Sequence, residues 1–581
     1  MKLPLNESLN AMQKIVHRSL IIILLICCKK GIAQQVDIEG LKNVFKAKPI
    51  RFSGGVAANT AFYSGNGNYG RAPFTWFLQG NLNANIFGKI NLPFSFNLTN
   101  ASHGITYPTP PNRLSLHPTY KWIAGHIGDV AMSFSPYTLS GHQFTGAGVD
   151  LTPDGPWKIS AMAGRLQKAV QYDSASGILP VYKRMGYGAK VGYNQKMYRI
   201  SISAFAAKDV QSSLSTPPDS LLIFPGQNLA LHYEVGLQPL KGLDLTAGYA
   251  TSVLTRDVRD STENLNKGVS KVFLRGNGST AVYHALKTQL SYNFRKSTVG
   301  AGYERIDPGY QTYGTYYFNN DLENITVNLA QSLLRDKASI SANIGIQRDN
   351  LDYSKSGTTR RWVGALNLNY APSERWQTSF SYSNFQTYMS IRPQFEYINQ
   401  LPYQQMDTLN FTQISQNANL NVNVLTKKSE QQMHSLNMNL NFQDASDDQG
   451  GTVAKGNSSQ FYNMAASYGI QWLQQGMNLT AAYNVSYNTI ARNDFMTMGP
   501  TVSFMTKMFK KKMSSGLSAS YNFSKQDNIQ ISSVLSVRLN ASYTVFKKHR
   551  LNLNLVNQIR ETQQTKNTTD LTGTMGYSYS F

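Results

Sequence analysis

Asn417-Ala418-Asn419-Leu420-Asn421-Val422-Asn423-Val424 is followed, after Lys427-Lys428, by Leu436-Asn437-Met438-Asn439-Leu440-Asn441-Phe442-Gln443. Apolar and amide side chains alternate through both runs without a slip. Successive side chains of a strand point to opposite faces, so each run predicts a strand with one apolar and one polar face. The same period-two pattern occupies Ile90 to Leu98 and Met477 to Tyr487.

Length decides what kind of strand this is. Strands of soluble proteins run about 5–6 residues. These runs last about ten residues or more, the length a tilted strand needs to cross a bilayer. A row of uncharged amides suits a wet lumen, and the apolar row suits lipid. The lumen-facing candidates are therefore Asn419, Asn421, Asn423, Asn437, Asn439 and Asn441. Tryptophans recur near strand ends, at Trp76, Trp122, Trp157, Trp362, Trp376 and Trp472, as interfacial girdles require.

The pattern runs from about Arg51 to Phe581 with no break in composition. It predicts an all-β chain, a transmembrane antiparallel β-barrel of about 24–26 strands. Counting gives about 25, and single-chain bacterial barrels expect an even number. The misfit lies between Asn100 and Arg165, where Ile127 to His142 reads either as a strand or as a loop folded inward. Breaks between strands alternate between short ones, such as Asn194-Gln195-Lys196 and Arg335-Asp336-Lys337, and long ones, such as Ile306 to Asp321 and Thr255 to Thr280. Short periplasmic turns and long outer loops would produce that alternation.

Composition agrees. Only 15% of the 581 residues are charged and 41% are hydrophobic, and the mean hydropathy of −0.33 excludes a bundle of membrane-spanning helices. Lys14, His17 and Arg18, the apolar run Leu20 to Cys28, and Gly31-Ile32-Ala33 describe an export signal, residues 1–33, cleaved after Ala33. Met12 is an alternative start. Residues 34–50 form a short periplasmic segment, in which Ile38, Leu41, Val44 and Phe45 would share one face of a helix. Residues 51–581 are the barrel. This leader is too short for a separate plug domain of the kind found in TonB-dependent receptors.

The only cysteines, Cys27 and Cys28, leave with the signal. That rules out a disulfide scaffold, thiolate metal sites and a cysteine nucleophile in the exported chain. Formal charge is +23; losing Lys2, Lys14, Arg18, Lys29 and Lys30 with Glu7 leaves +19. The cations recur in strand breaks, as in Arg295-Lys296 and Lys510-Lys511-Lys512, rather than in one stripe. Such spacing suits anionic headgroups at a membrane surface or ordinary solvated turns, and not the single stripe of a nucleic-acid surface.

The chain stops on Met575-Gly576-Tyr577-Ser578-Tyr579-Ser580-Phe581. Tyr577, Tyr579 and Phe581 alternate and end on Phe, which resembles the C-terminal signal read by the barrel assembly machinery. The leader end Gly31-Ile32-Ala33-Gln34-Gln35 and the Asn-rich strands, with Leu116 to Trp122, Phe134 to His142 and Tyr317 to Asp321, are similar to large outer-membrane β-barrels of the Bacteroidota. That resemblance supplies no catalytic or ligand residues to transfer.

No nucleophile elbow, metal-ligand helix or phosphate loop is present. The nearest approach to a hydrolase constellation is His117, His126 and His142 beside Asp129 and Ser140. Asp307, Asp321 and Glu323 are oxygen donors in one loop, and Tyr310, Tyr313, Tyr316 and Tyr317 read as an aromatic edge or girdle. No catalytic residue, cofactor or metal site is assigned. The expected function is an outer-membrane channel or translocation conduit, restricted by loops or by a partner chain. Its partners are outer-membrane lipid, the assembly machinery and a periplasmic or surface protein. The alternatives are a barrel that anchors a surface partner and a barrel-embedded hydrolase.

Overall fold

The computed structural model describes residues 49–66, 72–100, 112–172, 179–215, 221–262, 276–355, 357–358, 360–385, 387–389, 412–414, 416–445, 448–449, 452–453, 459–490, 493–563 and 567–581. The export signal and the helix expected within Val36 to Phe45 lie outside these residues. The chain divides into two compact units, Phe52–Asn85 with Lys89–Phe581, and Met1–Arg51 with Ile86–Gly88. In the smaller unit, the Phe87 amide donates to the Pro49 carbonyl at 2.9 Å.

The larger unit is a closed antiparallel β-barrel. Its sheet contains 27 strand segments. Arg113–Leu116 and Thr119–Tyr120 both pair with Ile90–Thr99 and with Ile123–Ser133, so they are two pieces of one strand and the barrel has 26. The break falls at His117-Pro118, where proline has no N–H to give the ladder. The first strand, Ile50–Gly65, closes on the last, Thr568–Ser580, from Gly55↔Ser580 to Gly65↔Asp570. An even number of up-and-down strands makes that closing pair antiparallel. Most strands exceed ten residues, and Ile529–Val545 reaches 17.

The stretch that confused the count resolves into Ile123–Ser133 and Ser140–Leu151, joined by the turn Phe134 to Leu139. Ile127 to His142 is thus two strand ends and a turn, not one strand. The short and long breaks alternate only as far as Trp472. From Met477 onward both ends of the strands carry short connections, such as Ile490 to Asn493 and Gln526 to Ile529.

Large exposed apolar side chains occupy one face of nearly every strand, for example Ile200 and Ile202, Val235 and Leu237, Val327 and Leu329. On the strand Tyr198–Asp209, the intervening Ser203, Phe205, Ala207 and Asp209 are buried. Exposed Trp157, Tyr198 and Trp376 lie at one end of their strands, and Trp362, Tyr187 and Tyr462 toward the other. The apolar face therefore has an aromatic border at both ends.

Candidate functional site

The interior is not uniformly polar. Val130, Met132, Phe134, Leu139, Phe144, Met162, Leu166, Phe205 and Ala207 form one buried cluster, with Tyr313 packed against it. Tyr137, Ala250, Ala285, Ile306 and Tyr310 form a second. The turn Phe134 to Leu139 contributes to both.

These clusters lie on the concave side of the sheet. The Tyr137 hydroxyl donates to Glu304 Oε1 at 2.5 Å, and its ring stands 5.3 Å from that of His232. Between Ser140–Leu151 and the Glu304 strand, Ser297–Ile306, lie the strands beginning at Trp157, Arg184, Tyr198, Gln227, Leu243 and Thr280. Seven spacings of roughly 4.8 Å make that path about 34 Å along the wall. A short turn reaches across it only where the wall curves around the turn.

The loop between Ile306 and Asp321 folds into the same space. Leu139 and Gly314 form a parallel bridge, and the Ser140 amide donates to the Gly314 carbonyl at 2.9 Å. Tyr310 Oη donates to the Tyr137 carbonyl at 2.9 Å and Thr312 Oγ1 to the Thr138 carbonyl at 2.7 Å. Asn228 fixes the loop to the wall: its Nδ2 donates to Ser252 Oγ and the Gln311 carbonyl, and its Oδ1 accepts from the Tyr313 amide. Lys190 Nζ donates to the Phe134 carbonyl at 2.6 Å. The Arg184 guanidinium, paired with Asp209, lies 3.6 Å from the centre of the Tyr313 ring.

Tyr310 and Leu139 are fully buried. The expected aromatic edge is therefore corrected: Tyr310 and Tyr313 are interior side chains, and Tyr316 stacks on His142 at 4.1 Å. Burial first, and then the neighbouring Glu304 carboxylate, push the Tyr137 hydroxyl far above the ordinary phenol range. The raised value favours the protonated hydroxyl, the form that donates to Glu304. A buried phenol deprived of that partner would cost about 1–3 kcal/mol.

Close approach explains Gly314. A Cβ there would meet the Thr138 carbonyl oxygen and the Leu139 Cα, so only glycine lets the loop lie against the turn. Gly188 similarly leaves room for the Phe134 ring.

The six asparagines share one face of their hairpin. The register pairs Asn419↔Asn441, Asn421↔Asn439 and Asn423↔Asn437, with Leu420↔Leu440 and Val422↔Met438 on the other face. Asn439 Nδ2 donates to Asn421 Oδ1 at 2.6 Å and Asn421 Nδ2 to Asn419 Oδ1. At the C-terminus, Tyr577 and Phe581 are exposed. Tyr579 lies 5.6 Å from Phe581 and 4.7 Å from His549, ring centre to ring centre. The Phe581 amide and carbonyl both bond Gly54, which ties the last residue to the first strand.

The histidines gather differently from their sequence neighbourhood. His117 Nδ1 and His126 Nδ1 are 2.9 Å apart, and His126 Nε2 is 2.8 Å from Asp150 Oδ2. Ser160 donates to the other oxygen of Asp150. His142 instead bonds the Gln143 carbonyl, and Asp129 accepts from Thr145. The serine beside this His–Asp pair is thus Ser160 and not the expected Ser140, whose amide bonds the Gly314 carbonyl, and its hydroxyl donates to the aspartate rather than to a histidine, unlike the order of a Ser–His–Asp triad. The acidic loop is taken up by cations: Asp321 by Lys355, Glu323 by Arg348 and Asp307 by Arg305.

No family model matches the sequence, and no curated protein matches it. Solved structures with a similar fold include the P pilus usher PapC translocation pore, at 10% identity over 92% of this chain and 100% of that one, TM-score 0.42. The FrpB iron transporter of Neisseria meningitidis matches at 10% identity over 93% and 84% of the two chains, TM-score 0.36. The copper transporter OprC matches at 10% identity over 92% and 81%, TM-score 0.37. At such scores no ligand, partner or mechanism transfers to this chain.

Proposed function

We propose that the protein is an outer-membrane conduit whose lumen is restricted by its own inward turn and loop. The exposed apolar face would meet outer-membrane lipid, and the six asparagines would line the lumen. The barrel assembly machinery would insert the chain through the strand ending in Tyr577, Tyr579 and Phe581. A periplasmic or surface protein would act on the restriction from outside the barrel.

The observation that carries this reading is the attachment of Phe134 to Leu139 across the interior. It joins Glu304, Ser203 and Gly314. The contacts are hydrogen bonds and apolar packing of the turn against wall strands and the inward loop, not pairing between wall strands, so they would open without breaking the ladders of the 26-strand wall. Opening would break a few hydrogen bonds at about 0.5–1.5 kcal/mol each and expose Phe134 and Leu139 at about 1.5–3 kcal/mol each, so it needs a partner that binds the open form tightly.

Purified protein in planar bilayers should show low or flickering conductance. Deleting Ser135 to Thr138, or Gly314→Val, should raise it, with heat-modifiable folding retained. The deletion stays inside the turn because Ile127 to Ser133 and Ser140 to His142 belong to strands. Steady large conductance from the intact protein would argue for an open pore. No conductance in either variant would favour the surface-anchor reading.

A further inference from the structure

The polar wall beside the turn contains a recess with the features of a ligand subsite. Four neighbouring strands form it: Thr280–Phe294, Ser297–Ile306, Leu322–Leu333 and Ala338–Arg348. Their register sets Lys287, Glu304 and Asn324 in one row, Gln289, Gly302 and Thr326 in the next, and Ser291, Gly300 and Asn328 in the third. The second strand thus offers glycine twice in succession on its inward face. Side chains stand on both sides of a floor that has none. A Cβ at Gly302 would come within 2.9 Å of Thr326 Oγ1, and one at Gly300 would run into the Asn328 amide.

The resulting cavity holds about 170 Å³, and Phe385 closes part of it. Phe385 follows Asn384, whose amide bonds Gly364 and Trp362 and so pins the ring's position. Asn324 is only 7% exposed. Its amide oxygen and that of Asn343, which also lines the cavity, have no hydrogen-bond partner. Buried amide oxygens are rarely left so, and each one unmet costs about 1–3 kcal/mol.

The chemistry of the lining selects among ligands. Lys287 and Glu304 are paired at 3.3 Å and are the two charged residues of the lining, so the recess carries no net charge to favour an anion or a cation. Amides donate and accept at once, which matches hydroxyl groups that do the same. An aromatic wall on one side suits the apolar face of a ring. The space corresponds to about five or six waters at roughly 30 Å³ each. We propose that this recess is a binding subsite for a neutral, polyhydroxylated ring, a hexose unit of an uncharged oligosaccharide.

The inference names a solute class for the conduit proposed above, and rests on the recess facing its lumen. Glu304 is common to the subsite and to the Tyr137 bond that holds the turn. A solute in the recess therefore contacts the group that anchors the restriction.

Isothermal titration of the detergent-solubilised full chain with maltohexaose tests this, with glycine and inorganic phosphate as charged comparators. Saturable binding of maltohexaose alone is expected. Phe385→Ala, on a loop, and Gly302→Val, which fills the recess, should each weaken it at least tenfold. Both variants should keep the heat-modifiable gel shift that reports a folded barrel. Absence of maltohexaose binding, equal binding of glycine or phosphate, or undiminished binding by both folded variants would overturn the assignment. Conductance separates the two proposals. Binding without current in any variant removes the conduit and leaves the subsite, whereas current without binding removes the subsite alone.

Discussion

Val422 and Asn421 are adjacent in the chain and point to opposite faces of one strand. Asn421 joins an amide ladder with Asn419 and Asn439, while Val422 is paired with Met438 and Thr378 across the sheet. If the apolar face meets lipid, Val422→Arg should destabilise the barrel by about 2–4 kcal/mol near the bilayer midplane. Asn421→Arg, placed toward water, should cost far less. Urea unfolding in lipid vesicles would measure both, and equal losses would contradict the facing. This residue-scale contrast was legible in the sequence because every second residue is an amide. The interior clusters were not legible. Around Val130, Phe144, Met162 and Phe205 the alternate positions hold Ala131, Ala147, Ala163, Ala204 and Ala206. Both faces there are apolar or small, so period two gives no sign of which side is packed.

At the scale of the element, the strand Thr568–Ser580 is held on both sides, by His549–Thr562 and by Ile50–Gly65. It closes the barrel, and its aromatic residues gather around His549. Replacing Tyr579 and Phe581 together by Ala should leave unfolded protein in the periplasm. Normal amounts of heat-modifiable barrel in outer-membrane fractions would refute that. Strand length and the closing strand could be read from alternation alone. The broken strand Arg113–Leu116 and Thr119–Tyr120 could not be counted, because Pro118 interrupts the ladder without ending the strand. The loop holding Tyr310, Tyr313 and Tyr316 also misled the reading. Its aromatic spacing has no strand or helix period, and only the contacts at Gly314 and Asn228 show that it folds inward. The histidine cluster depended on register: His126 faces Gly148, and Asp150 faces Ser160.

For the whole molecule, the barrel unit has two kinds of interior. Along the strands from Ile123–Ser133 to Ser297–Ile306, the turn and loop fill it with apolar packing. These nine strands, curved around a filled centre, resemble the packed interior of a small barrel. In the later strands most of the buried inward residues are polar, among them Asn484, Ser486, Ser520, Asn522 and Ser536, with Val556 an apolar exception. The packed and the polar interior are thus separate parts of one wall, as the proposed conduit with a movable obstruction would need. The attachment of the turn is its central feature. Thr138 Oγ1 and Ser203 Oγ lie 3.3 Å apart across it, and the only cysteines of the sequence are Cys27 and Cys28. The direct measurement is therefore disulfide formation in oxidised outer-membrane fractions by a Thr138→Cys/Ser203→Cys double variant. A Thr138→Cys/Ile202→Cys variant, one residue along and on the opposite face, is the control. The account predicts cross-linking of the first pair in folded barrel and none of the second. No cross-link in the first pair, or equal cross-linking in both, would contradict it.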